Sequence, residues 1–241
     1  VLITEPTSLN IHRGQRGRTE IEVSTYGVSC HGSAPERGEN AIYKMLPIIK
    51  ELQTLHEKLK GSETFLGKGS LTVSEISSTA PSRCAVPDHC MIIVDRRLTL
   101  GEGRKDVLDQ IHNLSTVKEV KAHVSITDYS NPSYTGLVNS IQSYFPAWQI
   151  EEEHPVCQMM VDTCQTMFKS KPKIDKWDFS TNGVSIMGQY DIPCIGYGPG
   201  REDQAHTPNE KVEKRELVKA AAIYAVIPKI YLHDYRQLNV K

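Results

Sequence analysis

The period of apolar and polar positions changes several times along the chain. Val1-Leu2-Ile3 is a short apolar run closed by Glu5-Pro6-Thr7, so residues 1–4 are expected to form a buried strand with Glu5 at its C-terminal end. From Gly17 to Tyr26, Ile21, Val23 and Thr25 alternate with polar neighbours, which predicts a strand with one buried face. A loop of small residues follows, Cys30-His31-Gly32-Ser33-Ala34-Pro35. Between about residues 40 and 60, Ile42, Met45, Leu46, Ile49, Leu52, Leu55 and Leu59 recur at helical spacing, and Pro47 predicts a kink or a late helix start. Strands are then expected at residues 70–77 and about 90–100, a helix over about 104–114, and a strand through 120–126. The order β-α-β-β-α-β is that of a ferredoxin-like sandwich.

The remainder alternates differently. A helix is expected at 155–169, a strand at 173–177, a short helix opening near 180–183, a strand at 193–197 and a closing helix at 214–231. Strands alternating with helices imply an α/β layer, to which residues 1–4 also belong. The fold class is therefore α/β, a layer made of residues 1–16 and 130–241 with an inserted ferredoxin-like α+β unit (17–129).

Composition narrows the function. The chain has 241 residues, 39% of them apolar, and 28 basic against 29 acidic side chains give a net charge of −1. No basic stripe argues for nucleic acid, and no apolar run approaches the roughly 18 residues of a membrane span, so a soluble protein is expected. Six cysteines without a C-x-x-C pair fit reduced thiols and a cytoplasmic setting. Residue 1 is Val, inside an apolar run, and a preceding segment is expected to be missing.

Several residues could carry chemistry, and each has a plainer reading. Glu5 stands where open α/β sheets place ligands, yet a lone acid there is more often a cap or loop residue. His206 follows a glycine-rich loop that would let an imidazole reach a cleft, whereas a lone loop histidine usually faces solvent. His31 has small neighbours and could steady an oxyanion, or be a turn residue. Arg97 shares strand parity with Asp95, so a structural pair competes with a substrate contact. Arg16 is either a second anion contact or a solvated turn. Ser180-Thr181-Asn182-Gly183 reads as a helix N-cap, a place that also suits an anion. Glu151-Glu152-Glu153 reads as a solvated acidic helix start.

Four ordered motifs change these odds: E-P-T after a strand, C-H-G-S-A-P-E-R-G-E-N-A-I before a helix, V-D-R-R-L, and G-P-G-R-E-D-Q-A-H-T-P-N-E. Together, over essentially the whole chain, they resemble the acetylornithine deacetylase, succinyl-diaminopimelate desuccinylase and aminoacylase family of zinc-dependent peptidases. Within it the chain looks most like a subgroup of hydrolases linked to selenium metabolism.

The resemblance implies that Glu5 and His206 each bind one of two zinc ions, with Co2+ or Mn2+ as possible substitutes. It implies that His31 reaches across a homodimer, formed through the inserted lid unit, to polarise the scissile carbonyl. Arg97 and Arg16 match contacts to a substrate carboxylate, and Thr181 and Asn182 fall in a loop at the pocket wall. Cys84 stands where the family has Asn, and Asn182 replaces an acid, so the substrate group recognised is left open. The remaining metal ligands and the general base are expected before residue 1, and one ligand per metal predicts an inactive chain by itself. The expected activity is hydrolysis of an amide-type C–N bond in a small N-acyl amino acid, dipeptide or related metabolite. The competing class is a non-catalytic small-molecule-binding or dimerisation module.

Overall fold

Burial alternates along the chain much as the apolar pattern demands, and a computed structural model describes residues 1–59 and 64–235. In chain order the first elements are β1 (Leu2–Ile3), β2 (Ile11–Gln15), β3 (Gly17–Tyr26), α1 (Ala41–Lys58), β4 (Ser70–Thr79), β5 (His89–Leu98), α2 (Arg104–His112), α3 (Ser115–Val120) and β6 (His123–Ile126). Then come β7 (Asp128–Tyr129), β8 (Ile141–Gln142), β9 (Tyr144–Phe145), β10 (Trp148–Gln149), α4 (Pro155–Phe168), β11 (Ile174–Trp177), β12 (Ile195–Gly196) and α5 (Lys214–Ile230). The chain separates into two compact units, one of Val1–Gly17 with the chain from Pro146 onward, the other Arg18–Phe145.

The Arg18–Phe145 unit has the sheet order β4-β5-β3-β6, the arrangement of a ferredoxin-like sandwich. Ile21 and Val23 of β3, Ile92 and Val94 of β5, Val124 and Ile126 of β6, and Met45, Ile48 and Leu52 of α1 are buried. Asn40 caps α1, its Oδ1 accepting from the backbone N–H groups of Ile42 and Tyr43 at 2.9 and 3.3 Å. The helix starts at Ala41 and runs through Pro47. Its buried stripe is Ala41, Met45, Ile48 and Leu52, so Leu46, expected inside, points out and is 54% exposed. The expected helix end, Lys60, lies outside the described residues.

Two differences from the sequence pattern have local causes. Residues 115–120 form α3, closed by Lys121 at φ 53°, so β6 begins at His123 and not at Val120. The boundary expected at residue 130 falls after Phe145, because β9 pairs with β3 (Thr19 beside Tyr144) and Ser143 bridges Thr127 and Glu20 by backbone bonds of 2.8 and 3.0 Å.

In the other unit, β12 lies between β1, its parallel neighbour, and β2, its antiparallel one, and β10 and β11 also pair with β2. Ile11 and Ile195 meet Val156, Met160 and Cys164 of α4 and Ile223 and Ile227 of α5 in one core. Ile3, Trp148, Trp177 and Cys194 form a second. Burial pushes the thiols of Cys157, Cys164 and Cys194 up to about 11, which makes them packing groups, and all six cysteines are free. Strand β2 has no counterpart in the sequence reading: Ile-His-Arg-Gly-Gln carries three polar side chains, yet all five residues are buried. Among the described residues no helix is long and apolar enough to cross a membrane.

Candidate functional site

Strands β1 and β12 run parallel, with Leu2 beside Ile195 and Ile3 beside Gly196, so the chain leaves both at the same end of the sheet. The two departing loops are stitched together. The Gly198 N–H donates to Thr7 Oγ1 at 3.0 Å, the Ser8 N–H to the Gly200 carbonyl at 2.7 Å, and the Leu9 N–H to the Gly198 carbonyl at 3.0 Å. Thr7 is buried, and its hydroxyl in turn donates to the Asn10 carbonyl at 2.7 Å. A Cβ on Gly198 would stand 2.2 Å from the Glu5 carbonyl oxygen, so only glycine lets the loops approach this closely. From below, the Trp177 indole N–H donates to the Pro6 carbonyl at 2.9 Å.

Glu5 and His206 ride on these loops. Both are exposed, and among the described residues neither side chain has a hydrogen-bond or ion-pair partner. Their neighbours are engaged: Asp178 pairs with Arg16, Asp203 with Arg201, Asp175 with Lys173, and Glu216 accepts from the Gly200 N–H. His206 is held through its backbone, whose N–H donates to Glu210 Oε2 at 3.1 Å. Its φ of 62° lies in the left-handed region, a conformation that costs an ordinary residue about 1 kcal/mol and that surroundings must hold in place. Glu5 and Asn182 line one cleft of about 310 Å³.

The loop before the short helix Val184–Gln189 is built on a strand residue. Gln15 of β2 is fully buried; its Oε1 accepts from the Thr181 N–H at 2.9 Å and the Thr181 hydroxyl at 2.5 Å, and its Nε2 donates to Ser180 at 3.2 Å. The Thr181 hydroxyl also accepts from the Gly183 N–H at 3.0 Å. Thr181 is thus committed to the wall, while Asn182 is exposed and faces the cleft. Arg16 holds Asp178 at 3.0 Å.

In the Arg18–Phe145 unit, His31 is exposed on a loop pinned to the segment through Cys84. Gly32 N–H donates to the Cys84 carbonyl at 2.6 Å and Val86 N–H to the Cys30 carbonyl at 2.8 Å. His31 Nδ1 accepts from the Ser33 backbone N–H at 3.1 Å and lies 2.7 Å from Ser33 Oγ. A backbone N–H can only donate, so in the neutral ring the proton sits on Nε2, which is presented as a donor. Arg97 makes two bonds to Asp95, at 2.7 and 3.1 Å, the structural pairing that strand parity allows. Arg96 is the fully buried arginine and pairs with Glu102.

One pair escaped the sequence reading altogether. His12 of β2 lies 3.3 Å from Glu202, on the loop that carries His206. Nothing in the spacing of residues 12 and 202 announces it, because the contact exists only once β2 lies beside β12.

Zinc sites use three or four protein donors. The free carboxylate of Glu5 and the free imidazole of His206 are of the right chemical kind. Among the described residues, however, no group of three or more His, Cys, Asp or Glu side chains is placed to hold a metal ion. Glu5 and His206 by themselves do not make up such a set.

Residues 13–123 match the family model M20_dimer, a peptidase dimerisation domain. The chain is 55% identical over 232 residues to YgeY of Escherichia coli (strain K12), covering 96% of this chain and 57% of that protein. It is 28% identical over 219 residues to an acetylornithine deacetylase of Vibrio atlanticus, covering 87% and 51% of the two chains. Among solved structures, the aminopeptidase PepT of Bacillus cereus superposes with a TM-score of 0.69 at 18% identity, over 94% of this chain and 55% of that one. The chain thus spans just over half the length of these relatives.

Proposed function

We propose, for a chain that is a homologue of the M20 peptidases and carries their dimerisation domain, that it forms part of a metal-dependent hydrolase cleaving an amide-type C–N bond in a small N-acyl amino acid or dipeptide. The observation that carries the reading is the pair of uncommitted ligand-type side chains, Glu5 and His206, on loops bound to each other at one end of two parallel strands. They are the groups this chain would contribute to zinc, with cobalt or manganese as substitutes. A bound zinc supplies Lewis-acid polarisation of a carbonyl. His31, with its proton on Nε2, would donate a hydrogen bond to the carbonyl oxygen as negative charge develops there, reaching the site of a partner protomer. Arg97 and Arg16 each already hold a carboxylate, so a substrate carboxylate would share or displace Asp95 or Asp178. Asn182 faces the cleft, and Thr181 fixes its wall.

Dimerisation through the Arg18–Phe145 unit is supported by its form. Strand β4 ends the sheet order, and Tyr43 and Leu46 of α1 and Ile76 of β4 are exposed at 71%, 54% and 55%.

The test is a chimera of this chain with the part of the Escherichia coli relative that it does not match, loaded with zinc and offered N-acyl amino acids and dipeptides. Glu5→Gln, His206→Ala and His31→Ala are each expected to lower kcat/KM by about 100-fold or more with folding intact. An active chimera indifferent to Glu5→Gln and His206→Ala would overturn the reading.

A further inference from the structure

The His12–Glu202 pair has no place in the reading above, and its geometry ties it to His206. His12, the second residue of β2, is 4% exposed, its ring edge-on to Trp177 with centroids 5.0 Å apart. Among the described residues its Nδ1 makes no hydrogen bond, and it stands 3.3 Å from Glu202 Oε1. Glu202 comes from the chain that follows β12. It opens the turn Glu202–Gln204, and its carbonyl accepts from the N–H of Ala205, the residue before His206, at 3.2 Å. Its carboxyl also lies close enough to Asp178, just beyond β11, to feel that residue's charge. Glu202 thus sits in the turn before His206 by its backbone and against His12 of β2 by its side chain.

We propose that His12 is a positioning residue for His206, acting through the Glu202 carboxyl, which clamps the His206 loop to the sheet. The proposal rests on the reading of His206 as a functional group only for its significance; the clamp itself is a statement about this chain. It accounts for a buried imidazole on a strand where an apolar residue would pack at less cost. It also accounts for the tight backbone geometry of His206, since a residue in the left-handed region stays there only when its neighbours hold it.

The charged groups around the clamp suit a neutral contact. Glu202 faces Asp175, Lys176 and Asp178; Asp175 is paired with Lys173, and Asp178 with Arg16 and Lys176. Burial, then Asp178 and Asp175, push the Glu202 carboxyl up to about 7, and burial draws His12 down to about 4. Near neutrality the imidazole is uncharged and the carboxyl is partly protonated, so no bare ion pair has to be desolvated.

The experiment is the histidine-ring nitrogen–proton correlation spectrum of the whole chain, labelled at its nine histidines, for His12→Ala, His12→Phe, Glu202→Ala and Glu202→Gln. His12→Phe keeps a ring against Trp177 but removes Nδ1, so it separates packing from the polar contact. The expected result is that His12→Ala, His12→Phe and Glu202→Ala all displace or broaden the His206 ring signal while His31 stays in place. Glu202→Gln, which keeps a polar carbonyl, should leave His206 near its original position. If His206 is unmoved in His12→Phe and Glu202→Ala, or if His12→Phe restores what His12→Ala loses, the clamp is wrong. Should His12→Ala fail to fold, the other spectra decide. The readout needs no turnover, so failure of the hydrolase reading in the chimera and failure of the clamp are told apart.

Discussion

Two substitutions at the same contact should tilt the pH dependence of stability in opposite directions. In the folded chain burial takes His12 from 6.5 to about 4, and burial beside Asp178 and Asp175 takes Glu202 from 4.5 to about 7. Between about pH 4.5 and 6.5 the unfolded chain keeps its proton on His12 and the folded chain on Glu202. Each state then holds one proton on the pair, and the pair contributes almost no slope. In Glu202→Gln only His12 remains. Its folded pKa is depressed, the unfolded state binds the extra proton, and stability rises with pH from about 4 to 6.5. In His12→Gln only Glu202 remains. Its folded pKa is raised, the folded state binds the extra proton, and stability falls as pH rises from about 4.5 to 7. Either shift corresponds to about 3 kcal/mol in full. The His12 side chain is 6% exposed and should keep most of that, whereas Glu202 is 30% exposed and solvent screening reduces its share to about 1–2 kcal/mol. Urea unfolding at pH 4, 5.5 and 7.5 measures this selectively, because both tryptophans, Trp148 and Trp177, lie in the unit that holds the pair. Subtracting the wild-type curve removes the other titrating groups. Two variants whose profiles both follow the wild type within about 0.5 kcal/mol would refute the assigned protonation states.

Further outcomes follow from the contacts around the site. Trp177→Phe removes the indole N–H donated to the Pro6 carbonyl, and a loss of about 1–2 kcal/mol in urea unfolding is expected; no change would mean the bond does not hold the Glu5 loop. Thr181→Val leaves the buried Gln15 Oε1 short of a donor, expected to cost about 1–3 kcal/mol, while Thr181→Ser should cost much less; equal losses would point to packing instead. Ile76→Lys combined with Leu46→Glu places charge on the exposed edge and helix face, and sedimentation equilibrium should show a dimer becoming a monomer. A dimer of unchanged strength would move the interface elsewhere.

The sequence was informative where one side chain's polarity and its neighbour's place in a short period agree. The alternation of β3, the cap at Asn40 and the run of α4 all follow from local preference and burial of one face. Glu5 and His206 were singled out from their motifs, and the structure puts them on the loops that leave β1 and β12 at the same end of the sheet. By contrast, β2 was invisible: His12, Arg13 and Gln15 look like a loop, and become a strand because each finds a partner across the sheet, Arg13 with the Ile150 carbonyl at 2.5 Å and Gln15 with Thr181. Leu46 was placed on the wrong side of α1, since an apolar stripe wide enough to fill two faces does not say which one the core takes.

What the order of residues determined alone is the longer elements, among them β3, α1, α4 and α5 but not β2 or α3, and the kinds of group set at their ends, because propensity, capping and burial of one face act over a few residues. What only the folded chain decided is pairing: that Thr7 binds the Gly198 loop, that Arg97 is spent on Asp95, that His31 carries its proton on Nε2, and that His12 meets Glu202 across 190 positions of sequence. The Thr7 and His12 contacts depend on distances between strands, while the Arg97 and His31 contacts, each made two residues away, depend on which way a side chain turns, and no local period encodes either.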